Sequence, residues 1–224
     1  FEAEVRYCFY YKKTLFLLKR LSYFCNKFKK MKKLVLLFWF FISLSWAQES
    51  SSDFQKKLNE SYSDSNKSPL TPEDLKVFSS LDFYPIDQKY IVEAQFVRVR
   101  NAKVFEMKTT TDRLPKYKKY GTIYFELEGK KLSLNVYQNL DLIKKPEYKD
   151  YLFLPFSDLT CGKDSYIGGR YIDLRIPEGR TIEIDFNKAY NPYCAYNHKY
   201  SCPIVPLEND LEIEIKAGVK KFHD

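Results

Sequence analysis

Apolar and polar residues alternate with a period of two at six places between residues 92 and 215. The alternating apolar sets are Val92, Ala94 and Phe96; Ile123, Phe125 and Leu127; Leu132, Leu134 and Val136; Ile172, Leu174 and Ile176; Ile182, Ile184 and Phe186; and Leu211, Ile213 and Ile215. Such alternation buries one face of a strand and leaves the other in water, which is typical of antiparallel sheets. We therefore predict a strand at each place.

Short turn-forming segments separate two neighbouring pairs of these strands. Glu128-Gly129-Lys130 stands between the second and third sets, and residues 177–180, Pro-Glu-Gly-Arg, stand between the fourth and fifth. Both spacings predict β-hairpins. Several strands joined by tight turns predict a mainly β fold, either an antiparallel β-sandwich or a partly open barrel.

One or two short helices are predicted before the strands. Phe54 and Leu58 are spaced four residues apart, which favours an amphipathic helix over about 53–62. Thr71 precedes a proline and two acidic residues, an order typical of an N-cap and a first helical turn, so a second helix is predicted over about 71–80.

The segment 31–47 has the features of a secretory signal peptide. Two lysines follow Met31, nine apolar residues fill 34–42, and small residues precede a cleavage point after Ala47. The apolar run is too short to span a bilayer, so we expect export to the periplasm or the medium and no stable membrane anchor. Residues 1–30, which precede Met31, are expected to be an over-extended reading frame.

The basic excess of the chain lies entirely in this leader. The formal net charge is +8, and residues 1–47 hold ten basic and two acidic residues, which accounts for all of it. We therefore expect no nucleic-acid partner. The remainder is interpreted as a polar segment, 48–68, followed by one β-rich domain, 69–224.

Candidate chemistry is concentrated in residues 185–203, DFNKAYNPYCAYNHKYSCP. This segment holds four tyrosines, three asparagines and two cysteines, and no glycine. Asn191 and Pro192 favour a turn, which places Cys194 on a loop, and loops on rigid β scaffolds commonly carry sites.

The runs PFSDLTCGKDSYIGGRYIDL, IDFNKAYNPYCAY, CPIVPLEND and IKAG resemble the bacterial and archaeal domain-of-unknown-function family 1684. The resemblance spans most of 66–219 and is most specific over 185–209. Cys161 and the lysines after Gly218 depart from the family pattern. The resemblance implies a fold but no activity.

The candidate site residues all lie at positions that match this family pattern. The ligand-binding candidates are Asp158, Arg170, Tyr171, Asn187, Tyr190, Asn191, Tyr196 and Asn209, and the catalytic candidates are Asp185, Cys194 and Glu208. We expect them to form a concavity in which tyrosine rings meet a small polar ligand or a glycan. A structural alternative stays open, in which Asp185 caps loop amides and Glu208 pairs with Arg170.

Cys194 and Cys202 are predicted to form a disulfide, since only seven residues separate them in a chain that is expected to be exported. A reactive thiolate at Cys194 and two free buried cysteines are the alternatives. The spacing Cys194-x₃-His198-x₃-Cys202 is not a standard zinc pattern, so no metal and no cofactor are expected.

Three functions stay open. The first is an exported, non-catalytic binding module that uses the tyrosine- and asparagine-rich loop. The second is a hydrolase-like enzyme that uses Asp185 or Cys194. The third is a structural module whose loop is latched by a disulfide.

Overall fold

The computed structural model describes residues 49–223. Eight strands in this part of the chain form a sheet that is curled into a half-barrel. They are β1 (Ile91–Arg98), β2 (Val104–Glu106), β3 (Lys116–Leu127), β4 (Lys130–Asn139), β5 (Tyr151–Asp158), β6 (Arg170–Arg175), β7 (Thr181–Asp185) and β8 (Asp210–Leu211). The mainly β fold predicted from the alternation is confirmed, and the half-barrel matches the partly open barrel of the two predicted architectures.

The strand order is β6-β5-β4-β3-β1-β7, with β2 added to β3 and β8 added to β5. Each pairing is antiparallel except that of β5 with β8. The predicted hairpin across residues 177–180 is wrong, because β6 pairs with β5 whereas β7 pairs with β1. β6 thus joins the strand that precedes it, whereas β7 joins a strand distant in sequence, and both contribute apolar side chains to one core.

The hairpin of β3 and β4 is confirmed. Leu127 pairs with Lys130, and the two residues between them, Glu128 and Gly129, have φ angles of 52° and 75°. Two successive positive φ values match the right-handed twist of the flanking strands, which explains the glycine in this turn.

The predicted last strand is wrong beyond Leu211. Ile213 and Ile215 are buried as the alternation requires. However, the backbone N–H of Ile215 donates to Asp158 Oδ1 at 3.2 Å, and the carbonyl of Ile213 accepts from the Leu159 N–H at 2.9 Å. The backbone of this segment therefore bonds to a side chain and a loop instead of a neighbouring strand.

The two predicted helices are present with shifted ends, as α1 (Ser51–Ser63) and α2 (Pro72–Val77). Ser50 caps α1 by accepting from the Asp53 N–H, and Thr71 caps α2 by accepting from the Asp74 N–H, both at 3.1 Å. Side chains of the helical region form a small core with the C-terminal segment, made of Tyr62, Leu70, Leu81, Tyr196 and Val219.

The sheet buries apolar side chains on both faces. The larger core contains alternate residues of β5 and β6, such as Leu152 and Ile172. The intervening residues face a second cluster made of Met107, Tyr117, Tyr137, Phe153 and Tyr171. This second face positions the candidate site.

The predictions made for residues 1–30 and 31–47 lie outside the described residues. Within 49–223, no helix combines the length and the apolar character needed to cross a membrane.

Candidate functional site

Alternate residues of β5 and β6 bring aromatic rings and one carboxylate to the second face of the sheet. Tyr151 and Phe153 come from β5, and Tyr171 and Asp173 come from β6. Phe153 and Asp173 are paired across the two strands, so the carboxylate lies among the rings. The rings of Phe153 and Tyr171 meet edge to face, with 4.7 Å between their centroids.

The tyrosine-rich loop and helix α1 enclose this face and leave a cavity of about 450 Å³, which we call the aromatic pocket. Nine of its lining residues are aromatic: Phe54, Tyr117, Tyr148, Tyr151, Phe153, Tyr171, Tyr190, Tyr193 and Tyr200. Tyr190, Tyr193 and Tyr200 come from the loop singled out by the sequence. A cavity of this volume is suited to a small organic ligand.

Asp173 is the polar centre of the aromatic pocket. Its Oδ1 accepts hydrogen bonds from the hydroxyls of Tyr151, at 2.7 Å, and Tyr190, at 2.6 Å. The same side chain reaches solvent through the mouth of the pocket. Desolvation by the surrounding protein raises the pKa of Asp173, and the two tyrosine hydroxyls partly oppose this shift.

No described residue donates a hydrogen bond to the other carboxylate oxygen, Asp173 Oδ2, at hydrogen-bond distance. Among the described residues that line the aromatic pocket, Asp173 is also the one with a carboxylate or a basic side chain. Arg175, on the same strand, donates instead to the exposed Asp150 at 2.7 Å. Asp173 Oδ2 is therefore a hydrogen-bond acceptor in the aromatic pocket, and no basic side chain of the described chain lines the pocket beside it.

The tyrosine hydroxyls around Asp173 remain protonated donors at neutral pH. Desolvation by burial, followed by the nearby Asp173 charge, raises the pKa of Tyr151 and of Tyr190 above the ordinary tyrosine value. Tyr171 donates its hydroxyl to the carbonyl of Pro203, which ties the end of the loop to β6.

A second cavity, of about 630 Å³, lies beside the same loop and contains Cys194, so we call it the thiol pocket. Its other ionisable lining residues among the described part of the chain are Tyr166, Tyr196, His198, Lys221 and His223. Of these, His223 lies 3.5 Å from Asp74, a carboxylate that does not line the cavity. No acidic residue of the described chain lines the thiol pocket.

Cys194 and Cys202 are free, buried thiols. The backbone N–H of Cys194 donates to Cys202 Sγ at 3.2 Å. A hydrogen bond from Cys202, helped by the hydroxyls of Tyr166 and Thr110 and opposed by desolvation, lowers the pKa of Cys194 to about 6. The same hydrogen bond, together with burial, raises the pKa of Cys202. The disulfide expected from the sequence stays a prediction.

Asp158 and Arg170, two sequence-predicted ligand residues, form a completely buried ion pair. Arg170 Nη2 donates to Asp158 Oδ2 at 2.7 Å, and neither side chain has any exposed surface. Arg170 also donates to the carbonyls of Ile215 and Ala217. The pair lines neither cavity and joins β5 and β6 to the C-terminal segment.

Asp185 and Asn187, a catalytic and a ligand-binding candidate, form a cap at the end of β7. Asp185 Oδ1 accepts from the backbone N–H of Asn187 at 3.0 Å, and Oδ2 accepts from the Ser51 hydroxyl at 2.7 Å. Asn187 exchanges hydrogen bonds with the backbone of Asp87. Both oxygens of Asp185 are thus engaged within the protein, as the capping alternative expected.

Two further asparagines also bind backbone. Asn191 Nδ2 donates to the Lys220 carbonyl at 2.8 Å. Asn209 accepts from the Asn135 N–H at 2.8 Å and donates to the carbonyls of Asn135 and Pro155. Both amides are completely buried and line neither cavity.

The remaining predicted residues are separated from one another. Glu208 is exposed and accepts from the Tyr137 hydroxyl at 3.2 Å, so it does not pair with Arg170. Tyr196 is buried against Tyr62 and borders the thiol pocket. Only Tyr171 and Tyr190 of the ligand-binding candidates line the aromatic pocket.

Sequence reasoning missed Asp173 and Tyr151. Asp173 stands between Ile172 and Leu174, at the position that alternation assigns to the solvent side of a strand. The aromatic residues at 151 and 153 were the available signal that this side of β5 is also covered. Among residues 49–223, no group of three or more His, Cys, Asp or Glu residues is arranged to hold a metal ion.

The chain matches the family model described as "Protein of unknown function (DUF1684)" over residues 76–220. It is similar to the solution NMR structure of an uncharacterized protein from Haloarcula marismortui, with 33% sequence identity and a TM-score of 0.59. That alignment covers 74% of this chain and 89% of the other. The search of curated proteins finds no match.

Proposed function

Since the chain belongs to the DUF1684 family, whose description assigns no activity, we propose a function from its own cavity: it is a binding protein for a small organic molecule that carries a cationic amine. The observation that carries this proposal is the Asp173 carboxylate on the wall of the aromatic pocket. The sequence predicted a small polar ligand or a glycan, and this proposal specifies a small polar ligand that carries a cationic amine.

The charge of the pocket favours a cation. Asp173 is partly desolvated and has an oxygen with no donor among the described residues, so a ligand N⁺–H group gains a charge-assisted hydrogen bond there. Removing a carboxylate from water is costly unless an opposite charge or donor compensates. A bound ammonium group provides that compensation, whereas a second anion would increase the cost.

The aromatic walls support the same class of ligand. The electron-rich faces of tyrosine and phenylalanine rings attract alkylammonium groups, most strongly where water is excluded. Tyr148 and Tyr151, and likewise Tyr193 and Tyr200, form edge-to-face pairs, with centroids 5.8 Å and 5.2 Å apart. These pairs keep the rings in place, so that the ligand orders few side chains on binding.

A glycan, the other ligand class expected from the sequence, is the competing occupant. Sugars also stack on tyrosine rings and donate hydroxyls to carboxylates, but they are neutral and add no positive charge beside Asp173. The contrast between charged and neutral ligands therefore separates the two proposals.

The test is calorimetric titration of the purified full chain with pairs of probes that differ only in charge. Choline is compared with 3,3-dimethyl-1-butanol, and benzylamine with benzyl alcohol; glucose and N-acetylglucosamine represent the glycan alternative. We expect benzylamine to bind at least about tenfold more tightly than benzyl alcohol, because a charged hydrogen bond contributes about 1.5–3 kcal/mol. Choline has no N–H group, so its preference over 3,3-dimethyl-1-butanol is expected from Coulombic and cation–π attraction, and should be at least about threefold.

The matched variants are Asp173→Asn and Asp112→Asn. Asn keeps the size of Asp173 and removes its charge, so cation affinity is expected to fall about tenfold or more. Asp112 is exposed and does not line the pocket, so its replacement is expected to leave affinity unchanged. Equal affinity for cations and isosteres, or a D173N variant that binds like wild type, would contradict the proposal.

We also propose that the protein is exported, on the sequence of its leader. Two lysines, nine apolar residues and a small-residue cleavage point occupy 31–47. Expression of the full coding sequence, followed by fractionation and N-terminal sequencing, tests this. A product beginning at Gln48 in the exported fraction is expected, and a cytoplasmic product that retains residues 31–47 would exclude export.

A further inference from the structure

The two cysteines of the tyrosine-rich loop lie in the wall between the two cavities. Cys194 lines the thiol pocket, and Cys202 lines the aromatic pocket. The backbone N–H of Cys194 lies 3.2 Å from Cys202 Sγ, and both side chains are buried. A reagent entering the thiol pocket therefore meets Cys194 first and finds a second thiol directly behind it.

The surroundings of Cys194 supply hydrogen-bond donors to its sulfur. The Tyr166 hydroxyl lies 3.9 Å from Cys194 Sγ, and interactions with Cys202 and Thr110 also lower the pKa of Cys194. Hydrogen bonds to a thiolate stabilise the charged form, which is the nucleophile. Burial opposes ionisation, and the lowered pKa of Cys194 indicates that the donors outweigh it.

We propose that Cys194 and Cys202 form a redox-active dithiol that exchanges with small disulfides entering through the thiol pocket. Cys194 is the attacking residue, and Cys202 is the resolving residue. This activity does not depend on the ligand proposed for the aromatic pocket. It also relates the free thiols of this structure to the disulfide expected from the sequence, since that disulfide is the oxidised product.

The exchange has two steps, and no additional oxidant is needed. The Cys194 thiolate attacks one sulfur of a disulfide RS–SR, so that the S–S bond breaks, RS⁻ leaves and is protonated, and a Cys194–SR mixed disulfide forms. Cys202 then loses its proton and attacks the Cys194 sulfur, which releases the second RSH. Two protein thiols are oxidised, and one small disulfide is reduced to two thiols.

The geometry suits Cys202 to the second step. While Cys194 is a thiolate, the hydrogen bond between the thiols keeps the proton on Cys202. The mixed disulfide removes that negative charge, and with it the main reason for the raised pKa of Cys202. The backbone N–H of Cys194, 3.2 Å from Cys202 Sγ, then stabilises the thiolate that forms there.

The side chains around the thiol pocket favour an anionic disulfide. Lys221, His198 and His223 line the cavity with Tyr166, and no acidic residue of the described chain does. Glutathione disulfide, which carries carboxylates, is therefore the probe of choice.

The test uses the reduced full chain in glutathione buffers of graded ratio, with acid quenching, alkylation and peptide mass mapping. We expect Cys194 and Cys202 to oxidise together, with loss of two hydrogens, in wild type and in a Cys161→Ser control. In wild type, early quenching is expected to trap a glutathione adduct on Cys194 rather than on Cys202. Because this measurement uses no variant, it tests the proposal even if a variant fails to fold.

The Cys202→Ser variant removes the resolving thiol. The adduct on Cys194 is then expected to accumulate to at least about tenfold the level found on Cys161. A pair that stays reduced in every buffer would overturn the proposal. So would adducts that form equally on Cys161 and Cys194, or an early adduct found on Cys202. Oxidation of Cys8 and Cys25 is assigned separately by the peptide map.

Discussion

Arg170 donates a hydrogen bond of 2.7 Å to Asp158, and both side chains are fully enclosed by protein. The pair lies where the end of β5 meets the start of β6, and the backbone N–H groups of Thr160 and Ile215 also donate to Asp158. One carboxylate therefore organises a guanidinium, a turn and the C-terminal segment. The Asp158–Arg170 pair lines neither pocket, so it belongs to the scaffold that supports the pocket walls.

Asp158→Asn is expected to lower the free energy of unfolding by about 3–5 kcal/mol, because it leaves the buried Arg170 charge without a counter-charge. Urea denaturation of the full chain measures the change. The control is Asp150→Asn, since the Arg175–Asp150 pair has the same 2.7 Å distance but is more than half exposed. An exposed pair contributes about 1 kcal/mol or less, so a similar loss in both variants would contradict this account.

The affinity of the aromatic pocket for cations is expected to fall as the pH is lowered through the raised pKa of Asp173. Protonation removes the charge that attracts the ligand. In the Asp173→Asn variant, the affinity is expected to be independent of pH over the same range. Choline titrations in buffers from pH 4 to pH 8, on the order of one unit apart, measure both. If the choline affinity of the Asp173→Asn variant still changed with pH, the pH dependence would belong to a titratable group other than Asp173.

The stability of the unliganded protein has the opposite pH dependence at this residue. Because the folded state raises the pKa of Asp173, the folded state binds the proton more tightly than the unfolded chain. The contribution of Asp173 to stability is therefore complete below the unfolded pKa of about 3.9 and is lost as pH rises through the folded pKa. Subtracting the unfolding free energy of D173N from that of wild type isolates this contribution, and a difference that increases with pH would be inconsistent with a raised pKa of the Asp173 carboxyl in the folded state.

The alkylation rate of Cys194 is expected to rise with pH around a midpoint near 6. Removing a donor raises this midpoint, so Tyr166→Phe and Cys202→Ala are both expected to shift it upward, the second by more. Iodoacetamide rates, followed by peptide mass, give the profile. Cys161 serves as the internal reference in each sample, and an unchanged midpoint in Cys202→Ala would show that the thiols do not share a proton.

Asn209→Ala is expected to lower the free energy of unfolding by at least about 2 kcal/mol, because the completely buried amide holds β4 and β5 to the segment before β8. Choline binding by the folded fraction should be unaffected, since Asn209 does not line the pocket. Asn66→Ala is the control, because Asn66 is exposed and its replacement is expected to change stability by less than about 0.5 kcal/mol. If the Asn209→Ala variant lost choline binding but kept the wild-type free energy of unfolding, Asn209 would belong to the ligand site and not to the scaffold.

Alternation located β1, β3, β4, β6 and β7, because each leaves a recognisable polar face in the sequence. It missed β5, which is buried on both faces and reads as the nearly continuous apolar run YLFLPFSD. It also could not tell that β6 and β7 are not partners, because strand pairing depends on contacts distant in sequence. The turn at residues 177–180 is a local signal and contains no information about β1 or β5.

Local sequence patterns also limited the prediction of the candidate site, because they contain no information about contacts between distant residues. Tyr171 and Tyr190 of the predicted residues line the aromatic pocket, and their role in binding stays a prediction. Asp158, Arg170, Asn187 and Asn209 were grouped with them because polar residues in a matched motif suggest binding, whereas burial assigns them to the scaffold. Asp173 was overlooked because an aspartate on the polar side of a strand has the same local pattern whether that side meets water or a pocket.

The position of Cys202 makes the two cavities thermodynamically interdependent. Its side chain belongs to the wall of the aromatic pocket, whereas its partner thiol opens to the other cavity. Oxidation of the pair would change a surface that the proposed ligand contacts, so the oxidised and reduced proteins are expected to have different affinities for it, although the exchange itself does not require the ligand. Reciprocity then requires the ligand to change the reduction potential of the dithiol by the corresponding factor. Ligand bound in the aromatic pocket is thus expected to change how readily the Cys194–Cys202 disulfide is reduced.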